Sequence, residues 1–562
     1  MSAVGRYMRT VARLRPRQVL TRVARAVSRP RVSAEPAPEL RTPAGEFARP
    51  VAREDGWVSP TRVRLLNVER ESLNAPDSVG AEDWRPADAE RLWVYTLNYF
   101  SDLPGERHGR EWATALVSSW IEANPPGTRD AWDPYPISLR TVNWVKWALL
   151  AEASGDPGGQ PRAFPAMLDS MAAQLRYLER CIEYDIAANH LMANAVALVI
   201  GGFFFGGADG DRWLRTGLPL LFRQADEQVL GDGGHYERSP MYHAVVLEQL
   251  LDVLNVWAVF PDALRGEWQE RRGRLEKTAL SMFNWLTAMT HPDGGHAFFN
   301  DTTLGTAAAL DELTAYARGL GLSPGPAVFA RVTRLEDSGF FRMASDDDAT
   351  VLFLDAGGPE PGHQPGHAHA GSLSFELSRR GRRVFVNSGV STYEPGAARS
   401  WERETAAHNT VRVDEAEQSE LWAAHRCGRR ARVTHAGVRD NCVFAEHDGY
   451  RFLPGRPIHR REVCVADGNA EIVDKIAGDG DHLLEWFFHL HPDVSASVVD
   501  RGVELRRDGM PLAKMVFPFG AVPAVSNGSW HPAFGTSIPN TFVHVALRAS
   551  LPFESHATVR WL

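Results

Sequence analysis

The sequence predicts an α+β multidomain protein in which a helical domain is followed by an all-β domain. Three observations predict it. From Trp84 to about residue 320, apolar residues recur at the three- and four-residue steps of amphipathic helices, and after about residue 340 the period falls to two. Gly, Pro and Asp turns cut both regions into short segments, which sets the number of elements.

Residues 1–34 form a basic arm with nine Arg and no acid, so the rest of the chain carries −18 against a formal net charge of −9 for the whole. Val4, Tyr7, Met8, Val11 and Leu14 fall on one helical face, with Arg6, Arg9, Arg13 and Arg17 around them. Such a helix can lie on an anionic membrane surface or dock on the acidic body or a partner. Arg interrupts the arm too often for the apolar run of about 7–15 residues in a secretory signal. No stretch elsewhere approaches the roughly 18 apolar residues of a membrane span. The expectation is a cytoplasmic protein, with peripheral contact at the inner membrane face through the arm.

Residues 35–85, rich in Pro, Ala and charge, read as a linker that partly packs. The helical domain is set at 86–340, with helices expected near 86–103, 107–123, 136–154, 163–184, 189–205, 211–229, 240–260, 264–289 and 304–320. A ring of helices with several apolar members inside is the economical way to bury so many. Residues 341–562 carry short alternating runs such as 349–354, 383–386, 442–445, 471–474 and 541–549, the pattern of an antiparallel sandwich. Cys181, Cys427, Cys442 and Cys464 contain no CxxC pair and read as unpaired thiols in a reducing compartment. With no basic face outside the arm, nucleic acid is not an expected partner.

Chemistry concentrates in Asp232-Gly-Gly-His-Tyr-Glu-Arg-Ser-Pro-Met-Tyr-His243, a turn leading into a helix whose mouth presents Tyr242 and His243. Asn189-His190 opens the apolar run Leu191 to Phe205, where an Asn also serves as a helix cap. Trp132, Tyr135, Arg140 and Trp144 offer rings for stacking on sugars and a guanidinium for a carboxylate, and equally fit a core. The stretch from His291 to Asp301 is a polar loop able to line a groove. His367 and His369, two residues apart in a glycine loop, share one face of an extended segment, which suits a metal or a paired acid and base.

Asn189-His190, Ser239-Pro-Met-Tyr242-His, Gly366-His-Ala-His369, Val386-Asn-Ser-Gly and Thr405-Ala-Ala-His-Asn-Thr410, in this order, give a chain that resembles the heparinase II/III-like polysaccharide lyases. The resemblance implies an incomplete (α/α) toroid followed by an antiparallel β-sandwich. It also implies β-elimination of a uronate-containing anionic glycan to a 4,5-unsaturated product. That reaction needs donors on the carboxylate, a base at C5 and an acid at O4. By the resemblance, Asn189 and His190 neutralise the carboxylate, Tyr242 is acid and base, His367 completes the site, and Arg238 or Arg140 holds a neighbouring acidic sugar. No cofactor is required. A structural zinc in several relatives maps to His369, Asn387 and His408, with Asn387 standing where an Asp ligand is usual. The arm is similar to the start of relatives encoded beside envelope-polysaccharide biosynthesis genes. That similarity keeps two alternatives open, a biosynthetic enzyme on a small uronide and a non-catalytic glycan-binding or assembly factor.

Overall fold

A computed structural model of the chain describes every residue except 1–2, 29, 34, 54, 72–82, 106, 108, 154–162, 265, 327, 501 and 518–519. The 3.6-residue period resolves into helices Arg91–Leu97, Arg110–Ala123, Pro134–Ala153, Pro165–Arg180, Ala188–Phe204, Gly207–Gln228, Pro240–Val259, Glu267–Ala288 and Leu310–Gly319. Each answers one expected helix. Ala188–Phe204 is buried at every position except His190 and packs between Gly207–Gln228, Pro134–Ala153 and Pro240–Val259. Close approach is possible because Gly202 has no side chain, since a Cβ there would lie 2.9 Å from the Gly210 carbonyl oxygen.

The β region contains three main antiparallel sheets. A five-stranded meander runs from Val332–Leu335 to Arg382–Phe385. A four-stranded sheet orders Pro523–Trp530, Ile538–Ser550, Asp481–His489 and Val411–Val413. In the eight-stranded sheet the last strand, Phe553–Trp561, sits inside, between Asn469–Ala477 and Met510–Val516. Leu352, Phe375, Ile472, Trp486 and Val559 from these sheets share one buried core, as expected of a sandwich.

The two domains are joined by buried polar groups as well as by packing. Glu376 of the meander meets His291 Nε2 at 2.9 Å and accepts the Phe298 N–H at 2.8 Å. Trp285, Met289 and Phe299 pack against Phe340 and Phe353 beside it.

Three expectations change. Part of the supposed linker folds into a three-stranded sheet, Gly56–Ser59, Arg62–Leu65 and Val68–Glu71, because Trp57, Val63 and Leu65 bury one face of it against the helices; the 72–82 part of that linker lies outside the described residues. The sandwich starts earlier than 341, since Val332–Leu335 already pairs with Phe340–Ala344. Cys442 and Cys464 form a disulfide with Cα atoms 4.4 Å apart. They face each other across adjacent strands, a placement decided by hairpin register and invisible in their spacing. The unpaired-thiol argument for a reducing compartment therefore holds only for Cys181 and Cys427, both buried and free.

The arm takes the docked position, one of the two expected for it, as more than one helix. It is two helices, Ala3–Val11 and Pro16–Val27, docked on the body. Tyr7 meets Trp422 edge to face, Arg9 binds Glu420 at 2.7 Å and Arg25 binds Asp185 at 2.8 Å. Among the described residues no helix is long and apolar enough to cross a membrane.

Candidate active site

Three turns deliver the site, and each contains a non-glycine residue in the left-handed region. Ala187 and Ala188 (φ 65° and 53°) precede Asn189, Arg238 (56°) precedes the Ser239 cap, and Asn300 (56°) precedes Asp301. Such backbone costs roughly 1–3 kcal/mol per residue and persists where surrounding contacts impose it. Ser239 caps helix Pro240–Val259 by accepting the Tyr242 N–H at 3.2 Å, which places Tyr242 in the first turn, facing a cleft.

The Tyr242 ring lies 4.0 Å from the His367 ring, between centroids, so the helical domain and the sandwich meet here. The Tyr242 hydroxyl is 3.1 Å from that of Tyr393. Burial, reinforced by Tyr393 and Tyr135, pushes the Tyr242 phenol well above its ordinary value, so it is protonated at neutral pH. His367 Nδ1 is 2.7 Å from Asp301 Oδ2. Burial alone would raise the Asp301 carboxyl, yet Arg399, His367 and His369 hold it well below the usual range. Arg399 donates to both oxygens, at 2.5 and 2.7 Å, and His369 Nε2 is 2.8 Å away. An ionised Asp301 only accepts, so His367 donates through Nδ1, which leaves Nε2 on the side of Glu237, 3.9 Å from its Oε1.

On the helical side Asn189 Nδ2 donates to Glu237 at 3.0 Å, while its Oδ1 is buried without a partner. Burial pushes the Glu237 carboxyl up, against the pull of His367 and Asn189. His190 Nδ1 is 3.2 Å from Glu183, and its ring stacks on Tyr135 at 4.1 Å. Tyr135, Tyr242 and Tyr393 all line the cleft, which encloses about 200 Å³. The expected set Asn189, His190, Tyr242 and His367 is thus brought into one neighbourhood, with Tyr135 beside it.

Other expected site residues lie elsewhere. Arg140 is buried over the Trp120 ring and binds Gln174 and the carbonyls of Asn98 and Ala131, and Trp144 packs on Phe100 and Trp120. Trp132 is buried, its indole N–H donating to the Asn124 carbonyl. These three are core, because an inward-facing helix, or for Trp132 the turn before it, presents the same residue types as a sugar platform. His243 stacks on Trp285 and bonds Met282, with burial lowering its ring to about 3. Arg238 points to the Gly358 carbonyl, away from the cleft.

The zinc set does not fit either. Asn387 uses its side chain on Ser374 and the Phe298 carbonyl, and His369 is committed to Asp301. His408 stacks on His369 with both ring nitrogens unpartnered, which leaves one free ligand residue of the three. Asp301, His367 and His425 do converge, but Arg399 already neutralises that carboxylate. No step is derived through a metal.

Tyr393, Glu237, Arg399 and Asp301 complete the site beyond the residues assigned from sequence. Asp301 had a weak signal in its polar loop; Tyr393 and Arg399 follow the Asn387-Ser-Gly motif with nothing in their spacing to place them here.

Residues 91–320 match the family described as heparinase II/III N-terminus, and residues 330–562 match heparinase II/III-like, C-terminal. The heparin-sulfate lyase of Pedobacter heparinus is 26% identical over 354 residues, covering 58% of this chain and 51% of that protein. The chain thus spans about half the length of that relative. FtsZ-localized protein C of Caulobacter vibrioides is 26% identical over 531 residues, covering 86% of this chain and 84% of that protein. A crystal structure of heparinase III superposes with a TM-score of 0.67 at 16% identity, covering 98% of this chain and 85% of that one. The fold is therefore that of heparinase III, a helical toroid followed by an antiparallel sandwich.

Proposed function

The chain belongs to the heparinase II/III-like family, and from that premise we propose that it is a polysaccharide lyase that cleaves a uronate-containing anionic glycan by β-elimination. The observation that carries the reading is the meeting of Tyr242 with an Asp301-oriented His367 at the domain junction. Asn189 and His190 neutralise the substrate carboxylate, which acidifies the C5 proton. His367 Nε2 takes that proton as the C5–H electrons form the C4–C5 double bond. The C4–O4 bond breaks, and the Tyr242 hydroxyl protonates O4. Proton return from His367 to the tyrosinate through solvent resets the site.

One observation bears on the glycan. The cations lining the cleft among the described residues, Arg53 and Lys146, are each paired with an acid, Glu248 and Asp252. Of the four residues assigned to the reaction only Tyr242 lines this cleft, and in the part that extends from it such a lining favours uronates of low charge density, polymeric or small, over a densely sulfated chain. The Caulobacter relative's name supports a second reading, an assembly factor on the same scaffold. Incubation with heparan, hyaluronan, alginate, glucuronan and small uronides separates the two, because only a lyase releases an ultraviolet-absorbing unsaturated product.

A further inference from the structure

The arm docks by its polar side and leaves its apolar side outward. On the 3.6-residue repeat, Arg6, Arg9 and Thr10 of the first helix face the body, where Arg9 reaches Glu420 and Thr10 reaches the Cys427 carbonyl. Val4, Met8 and Val11 occupy the opposite face and are exposed. The second helix repeats the arrangement. Gln18 is buried, its amide directed at the carbonyls of Asp185 and His363, and Arg25 pairs with Asp185. Val19, Leu20, Val23 and Val27 point away, with Leu20 69% and Val27 82% exposed. Each of the two successive helices thus carries an outward apolar stripe, and the arm is anchored to both domains through Asp185 and His363.

Exposure of this kind needs a cover, since each large apolar side chain left in water forgoes roughly 1.5–3 kcal/mol. Charge decides which cover. The arm has no acid, and Arg13, Arg17 and Arg22 stay exposed; Arg17 lies over the Tyr184 ring and Arg22 reaches the Asp185 carbonyl, so among the described residues no carboxylate neutralises their charge. Stripe-to-stripe packing of two copies would bring these Arg rows together. A bilayer with anionic headgroups accepts the apolar face and pairs with the Arg at once.

We propose that residues 3–27 are a membrane-surface device that seats the protein on an anionic bilayer by the side where its two domains meet. The arm lies in the interface and does not span it. The proposal is independent of the reaction catalysed.

Flotation of the full-length protein with phosphatidylcholine vesicles, with and without phosphatidylglycerol, tests it. We expect binding to the mixed vesicles at least about tenfold tighter than to the neutral ones, weakening as salt is raised. Leu20→Glu with Val23→Glu should lower it by about tenfold or more, as should Met8→Glu on the other helix, with unchanged unfolding temperature because these side chains face solvent. Absence from both vesicles overturns the proposal, as does undiminished binding of both variants. A concentration-dependent dimer that these substitutions disperse, without vesicle binding, assigns the stripe to a second copy and equally overturns it.

Discussion

Asp301 is the residue on which the site's electrostatics turn. It is fully buried and accepts from Arg399, His367 and His369 together. Asp301→Asn keeps the shape but removes the charge, leaving the Arg399 guanidinium buried and unpaired. We expect a loss of about 3–5 kcal/mol in urea unfolding, with the proton-accepting orientation of His367 lost as well. Glu237 acts on the other half of the site. Glu237→Ala frees the Asn189 amide from its one acceptor, and activity should fall roughly tenfold or more while His367 and Asp301 stay paired. At this scale the sequence exposed the residues with motif neighbours, Tyr242 and Asn189, because turn-forming Ser-Pro and a helix start leave a local trace. Arg140 and Trp144 carried the same residue types with no such trace of direction, and they proved to be core.

Among the elements, the short helix Ala397–Arg403 does the most for its length. It sends Arg399 to Asp301, and Glu402 to the N–H and hydroxyl of Ser391, which precedes Tyr393 in the same loop. Burial raises the Glu402 carboxyl to about 7 from an ordinary 4.5. Its folded-state value lies above its unfolded one, so the stabilising protonated form is fully present below about pH 4.5 and is lost as pH rises through about 7. Stability should fall over that window by up to roughly 3 kcal/mol, and Glu402→Gln should flatten the fall, as thermal unfolding at a series of pH values will report. This helix was not among the expected elements. Seven residues inside a strand-rich region offer too short a window for the 3.6-residue period, whereas the longer Ala188–Phe204 and Pro240–Val259 announced themselves clearly. The Cys442–Cys464 pair escaped for a related reason, since strand register is a property of two segments and not of either alone.

For the whole molecule, the domain order was legible because the apolar period changes once, near the junction, and the local pattern reports it along each segment. What no local pattern reports is the junction itself, where His291, Asp301, Glu376 and His367 are brought together from positions up to 85 residues apart. The site exists only as long as the two domains are held against each other. The arm contributes to that hold, bridging Asp185 and Glu227 on the helical side to Glu420 and Trp422 on the sandwich side. β-Elimination by Tyr242 and His367 across this junction can be read from the ultraviolet absorbance of uronic acid polymers and uronides incubated with the wild-type protein and with Tyr242→Phe. At least one substrate should gain the absorbance of a conjugated double bond, and the variant's rate should be lower by about 100-fold or more. A wild-type protein that leaves every substrate unchanged, or a variant as fast as wild type, would contradict β-elimination by this pair.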